Sequence, residues 1–267
     1  MKQGLIFNNI DLAQVVLYAF WIFFAGLILY LRREDKREGY PLESERSAYI
    51  TVQGFPAIPS PKTFLLAGGG TVSAPRTETD DRPIRAKPIA PWPGAPLEPT
   101  GNPMIDGVGP AAYALRSNLP DTTFDGHDRL VPLRTAKTHF IEPRDPDPRG
   151  MAVVGADGVV AGTVLDAWVD RAECLIRYLE VELPSVAGGP GDADPAIPRR
   201  VLLPINFTRI DGRSRQVKVK SILASQFADV PTLGDRDRVS RREEDRICAY
   251  YGGGHLYATP SRQESLL

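Results

Sequence analysis

Residues 12–31, LAQVVLYAFWIFFAGLILYL, form a run of 20 without a single charge. No other feature limits the fold so severely. Coiled as a helix at about 1.5 Å per residue, the run is roughly 30 Å long, the thickness of a bilayer's hydrocarbon core. Its one strongly polar side chain, Gln14, falls in the first turn. Tyr18 and Trp21 lie toward one end and Tyr30 at the other, where an aromatic belt would sit. Asn8, Asn9 and Asp11 offer N-caps, and an acid suits the positive end of the helix dipole. A cleaved signal peptide fits less well. The run is long for one, Lys2 is the only basic residue before it, and no small-x-small site follows. Arg32, Arg33, Lys36 and Arg37 follow directly, which by the positive-inside rule puts that end in the cytoplasm. The expected layout is an N-terminus over 1–11 facing the periplasm or lumen, one transmembrane helix over 12–31, and a cytoplasmic remainder.

Composition narrows what that remainder does. With 32 basic and 33 acidic residues the net charge is -1, which argues against a nucleic-acid binder. Cys174 and Cys248 alone cannot make a disulfide framework, and they suit a reducing compartment. Eighteen of the 25 prolines fall between 41 and 148. Each removes a backbone donor and restricts its predecessor, so long helices and central strands are excluded there. Residues 32–129 are therefore expected to be an extended Pro-rich layer, with short strands near 63–67 and 70–74. Phe55, Phe64, Ile84, Trp92 and Met104 are too apolar for a disordered tail, so the layer is expected to lie against a partner.

From 130 to 267 the pattern turns to β. A first strand is expected from Val131 and Leu133 with Phe140 and Ile141. Asp157-Gly158 marks a hairpin between 151–154 and 159–168. Residues 174–183 alternate, and 199–205 and 216–220 read as two further strands. A Gly/Pro/Asp-rich exposed loop is expected over 184–198. The fold class is thus a single transmembrane α-helix plus a mainly-β domain, a small antiparallel barrel, with a short helix over 221–229 and a C-terminal helix. That last helix is expected from Ser240, with Glu243 completing a capping box, to Tyr251, stopped by Gly252–Gly254.

No nucleophile elbow, Walker A loop or dinucleotide fingerprint occurs. Two ionisable groupings remain. Asp125, His127 and Asp128 surround Gly126, whose freedom permits a tight turn; carboxylates and an imidazole so gathered bind a divalent ion or pass protons. Asp166, Asp170, Glu173 and Arg177 surround a strand-to-strand turn. For both, an ordinary solvated turn stands as the alternative.

Four blocks carry a family resemblance: FWIFFAGLILYLRREDKREGYPLE (20–43), PTGNPMIDGVGPAAYALR (99–116), WVDRAECLIRYLEVEL (168–183) and ICAYYGGGHLYATPSR (247–262). They resemble the H subunit of the purple-bacterial photosynthetic reaction centre, in order and along nearly the whole chain. The resemblance implies a PRC-barrel as the cytoplasmic domain and a non-catalytic subunit. It implies partners L and M, which hold bacteriochlorophyll, bacteriopheophytin, quinones and non-haem iron, with no cofactor on this chain. The wider partners it suggests are the core light-harvesting antenna, membrane lipids and a cytochrome subunit. Glu173, Asp170 and Arg177 then fall in the family's cluster near the secondary quinone. His127 and Asp125, with Asp128, fall at its proton entrance, where relatives carry a histidine pair. Asp125 is a departure that weakens the case for a surface inhibitory metal site there. A membrane-anchored PRC-barrel scaffold or RNA-maturation protein is the alternative, but it leaves the blocks at 20–43 and 99–116 unexplained.

The charge asymmetry around the span makes its topology testable. In intact cells an impermeant amine reagent is expected to label Lys2 and spare Lys62; the reverse pattern would overturn the assignment.

Overall fold

A computed structural model describes residues 5–7, 10–42, 52–66, 69–76, 80–184 and 198–263. The chain divides into two compact units, Met1–Asp81 with Trp92–Gly94, and Arg82–Pro91 with Ala95–Leu267.

In the first unit, β1 (Leu5–Phe7) pairs antiparallel with β2 (Ile10–Asp11), and α1 (Leu12–Glu34) follows at once. Asp11 is the N-cap: its carboxylate accepts from the Gln14 N–H at 2.8 Å, and Gln14 Oε1 accepts from the Asp11 N–H at 3.2 Å. The one polar side chain of the apolar run is thereby consumed by the cap. Asn8 and Asn9 lie outside the described residues. No α1 residue is buried within the chain, and the helix is long and apolar enough to cross a membrane. A 3-10 turn, Asp35–Arg37, ends it. Here the basic cluster also has a structural use. Lys36 is 2% exposed, and its ammonium donates to the carbonyls of Gln53, Gly54 (3.0 Å) and Pro56 (2.6 Å). All three of its protons are satisfied, which offsets the cost of burying the charge. Arg37 donates to the carbonyls of Ser60 (2.8 Å) and Ala74 (3.0 Å). The last of these bonds reaches β4 (Thr71–Ala74), which pairs antiparallel with β3 (Lys62–Leu65), the two short strands expected in this segment.

The second unit begins with a short antiparallel pair, β5 (Ala86–Pro88) and β6 (Leu97–Pro99). One helical turn follows, α2 (Pro103–Asp106), capped by Asn102 and closed by Gly107 at φ 71°. Seven strands then make the main sheet: β7 (Leu130–Pro132), β8 (Ala152–Val154), β9 (Val160–Asp170), β10 (Leu175–Glu182), β11 (Arg200–Pro204), β12 (Thr208–Asp211) and β13 (Gln216–Val219). Their order is β11-β10-β9-β8-β13-β12, with β7 also on β9. The first strand is only β7; Phe140 and Ile141 lie in irregular chain. β12 carries no alternation strong enough to be read in advance. Every pair is antiparallel except β8 with β13. Gly158, at φ 77°, turns the β8–β9 hairpin where Asp157-Gly158 predicts it. Most of the loop expected over 184–198 lies outside the described residues. The helix expected over 221–229 is a 3-10 segment, Ala224–Asp229.

The core gathers Trp168, Leu179, Leu203, Phe227 and Tyr251, each at most 1% exposed. Helix α3 (Arg241–Tyr257) closes it, started by the Ser240–Glu243 capping box. Its end differs from expectation: it runs through Gly252, Gly253 and Gly254 instead of stopping at them. The glycines serve close approach, not termination. A Cβ on Gly253 would lie 2.6 Å from Ala111 Cβ, and one on Gly254 would lie 2.5 Å from the Ser221 carbonyl oxygen. That contact with α3 explains why residues 95–129, Pro-rich though they are, belong to the same compact unit as the sheet. Met104, Val108 and Ala111 are buried in it.

Gly254→Ala is accordingly expected to destabilise, although alanine gains roughly 1 kcal/mol of helix propensity. The obstacle is backbone and cannot rotate away, so an overpacking loss of about 1–3 kcal/mol should dominate. Denaturant unfolding followed by tyrosine and tryptophan fluorescence reads it; an unchanged or raised midpoint would contradict the close approach.

Candidate functional site

The β9–β10 turn holds the site, and its organising residue is Arg129, which precedes β7. The β7–β9 register sets Leu130 against Asp170, so Arg129 arrives beside the end of β9. Its Nε donates to both Asp170 oxygens at 3.0 and 2.9 Å, Nη2 donates to Glu173 Oε1 at 2.5 Å, and Nη1 reaches Asp121 Oδ2 at 3.5 Å. Arg177 Nη1 approaches Asp170 Oδ2 at 3.5 Å, and Arg241 Nη2 donates to Asp121 Oδ1 at 2.5 Å. Three carboxylates thus converge on one guanidinium, with two more arginines at the rim.

These carboxylates differ in character. Asp170 is fully buried, and its Oδ1 also accepts from the N–H groups of Ala172 (2.9 Å) and Glu173 (3.1 Å). Burial works against its ionisation, but the Arg129 hydrogen bonds and these backbone donors outweigh it and hold the carboxyl below the usual range. Asp121 is likewise opposed by burial and held low by Arg241. Arg129 is pushed above its already high value, chiefly by Asp170. Glu173 has a side chain 52% exposed and, among the described residues, pairs with Arg129. It is the member of the cluster that water and a neighbouring surface can reach.

Alongside lies a drier group. Tyr178 on β10 donates to Glu244 Oε2 on α3 at 2.9 Å, and Cys248 Sγ is 3.5 Å from the same hydroxyl. Burial pushes the Glu244 carboxyl and the Cys248 thiol up, and the Tyr178 hydroxyl most of all.

Of the turn residues expected to act together, Asp170, Glu173 and Arg177 do converge, while Asp166 does not join them. Four residues along a strand is about 13 Å. Asp166 instead accepts from Arg134 Nη1 at 3.1 Å in a separate buried group with Glu180, whose Oε2 takes Arg134 Nη1 at 2.5 Å and Trp168 Nε1 at 3.3 Å. Asp125, His127 and Asp128 share a turn at Gly126, φ 79°, but their side chains do not hydrogen-bond to one another. Asp128 forms a two-pronged pair with Arg238 at 2.8 and 3.0 Å, and Asp125 and His127 are exposed. Among the described residues no group of three His, Cys, Asp or Glu is placed to hold a metal ion. Arg129, Asp121, Arg241 and Glu244 escape sequence reasoning, because each reaches the turn from 40 or more positions away, except through the register of β7 on β9.

Two family models match the chain in tandem. One, described as the photosynthetic reaction centre H-chain N-terminal region, covers residues 4–135. The other, the PRC-barrel domain, covers residues 141–225. The first spans α1 and the Pro-rich segment, and the second spans β8 to β13. Apolar helix, Pro-rich layer and barrel-type sheet follow one another as such an H chain requires. The chain belongs to the H-subunit family of the photosynthetic reaction centre, a structural subunit of a membrane complex that assembles with L and M.

Proposed function

We propose that this chain caps the cytoplasmic face of L and M, stabilises the complex and passes protons from water toward the secondary quinone. The observation that carries this reading is the Arg129 cluster: one exposed carboxylate, Glu173, mounted beside the buried Asp170 and the half-buried Asp121, both held as anions. Reduction of a quinone to a quinol consumes two protons in a site shielded from water. They must travel between groups at hydrogen-bond distance that both take and release a proton near ambient pH. Asp170 and Asp121, held as carboxylates, are poor carriers but good fixed charges: they position Arg129 and favour a proton nearby. Glu173, Arg177 and the entrance residues His127, Asp125 and Asp128 then form the path. His127 is the collector, an exposed imidazole at the entrance, and with Asp125 it offers a surface site where a soft divalent ion would block uptake. The bacteriochlorophylls, bacteriopheophytins, quinones and non-haem iron belong to L and M in this reading, and the antenna, lipids and a cytochrome subunit surround them. Exposed Phe124, Phe140, Leu65 and Phe55 support the capping role. Such side chains are costly in water and serviceable against a partner. The cytoplasmic placement rests on Arg32, Arg33, Lys36 and Arg37 following the span.

Flash kinetics on the assembled complex test the path. Glu173→Gln keeps size but removes proton exchange, so the second electron transfer to the secondary quinone should slow about tenfold, roughly 1.4 kcal/mol of barrier. The first transfer, which needs no delivered proton, should hold its rate. In the same assay Cd²⁺ should slow proton uptake, and less so in His127→Ala. Normal second-transfer rates in an assembled Glu173→Gln complex would reduce Glu173 to an ion-pair partner.

Asp170 should behave differently. A carboxyl held below its unfolded value contributes stability that is complete above about pH 4 and is lost as pH falls through the folded value. Asp170→Asn should therefore cost about 1–3 kcal/mol at neutral pH, since Arg129 loses its buried partner but keeps Glu173 and Asp121, and should flatten the acid-side decline. Thermal denaturation of the complex between pH 7 and 3 measures both. Parallel curves for the two proteins would rule out the ionised, buried pair.

A further inference from the structure

Glu34 lies three residues past Leu31, about 4.5 Å further along the helix axis. Phospholipid headgroups occupy roughly the first 5–7 Å outside the hydrocarbon core. At that depth the first unit contains a cavity of about 1290 Å³, bounded by the end of α1, the turn after it and the β3–β4 pair. Its walls are of two kinds. Ile58, Phe64 and Val72 make an apolar side, and Phe64 is 44% exposed to the opening. The charged side is already sorted by pairing. Glu34 and Arg37 neutralise each other at 2.8 Å, and Lys62 adds a second contact to Glu34 at 2.7 Å. That leaves Asp35, Glu38 and Arg76 lining the cavity, exposed and forming no ion pair among the described residues. Arg32 and Arg33 precede the cavity on α1 and are not part of its lining.

We infer that this cavity seats the headgroup of one zwitterionic phospholipid, its ammonium against Asp35 and Glu38 and its phosphate on Arg76. The charge pattern selects this occupant. An anionic headgroup would meet two unpaired carboxylates for one arginine, whereas a headgroup with both signs finds a partner for each. The apolar wall takes the glycerol and first acyl carbons, and the chains return to the bilayer beside α1. This site is independent of the proton path.

Native mass spectrometry of the whole complex tests it, after delipidation and addition of phosphatidylethanolamine, phosphatidylcholine or phosphatidylglycerol. Wild type should retain one zwitterionic lipid in preference to phosphatidylglycerol. Arg76→Ala should weaken that retention about tenfold. The Asp35→Asn, Glu38→Gln double variant should weaken it too and turn the preference toward phosphatidylglycerol. Pigment absorbance confirms that each variant complex is assembled. Preferential phosphatidylglycerol binding by wild type would overturn the inference, as would retention untouched by both variants. A complex that holds no lipid sensitive to these residues would mean that partner side chains fill the cavity, and would overturn it equally.

Discussion

A proline-rich chain has more backbone acceptors than donors, since every proline keeps its carbonyl and lacks an N–H. The rest of this molecule depends on how that surplus is met. It is met by cations. Lys36 donates to three carbonyls and Arg37 to two, in a stretch where strands alone are too short to pair the backbone. The same device recurs in the second unit: Arg82 donates to the Tyr113 carbonyl, Arg242 to that of Arg116, and Arg262 to those of Ser221, Gly254 and Lys220. Basic side chains here are structural donors first and surface charges second.

The carboxylate cluster follows the same logic with the sign of the shortage reversed. Arg129 is one donor fork serving three anions. Planar, permanently charged and able to donate in several directions, a guanidinium suits that post where a lysine would not. Because Asp170 claims it most tightly, Glu173 is left with a single strong bond and an exposed face. The difference between a buried carboxylate and an exposed one arises within three residues of sequence.

How much of this was legible beforehand varies with range. Alternation and turn residues disclose β3, β4, β8, β9, β10, β11 and β13, and the capping box at Ser240 discloses the start of α3. These are local signals with a period or a fixed offset. The parallel pairing of β8 with β13 has no local signature, because parallel and antiparallel partners demand the same alternation. Gly252, Gly253 and Gly254 read as a helix stop, since isolated from Ala111 and Ser221 nothing distinguishes a glycine kept for closeness from one kept for φ. Asp170, Glu173 and Arg177 could be grouped by proximity in sequence, and the structure groups them. Asp166 was grouped for the same reason and parted by strand geometry. Arg129 could not be found, as only the β7–β9 register brings it there.

One consequence follows from the way α1 begins. Gln14, the one strongly polar side chain of the uncharged run 12–31, is folded back into the cap at Asp11, and no residue of the helix is buried in the chain. What remains is a cylinder apolar on all sides, with no marked face. Such a helix has a defined depth, fixed by the cap at one end and the arginines at the other, but no preferred angle of rotation about its own axis. That angle is information the sequence of this chain does not encode. It has to come from whatever surface the helix packs against.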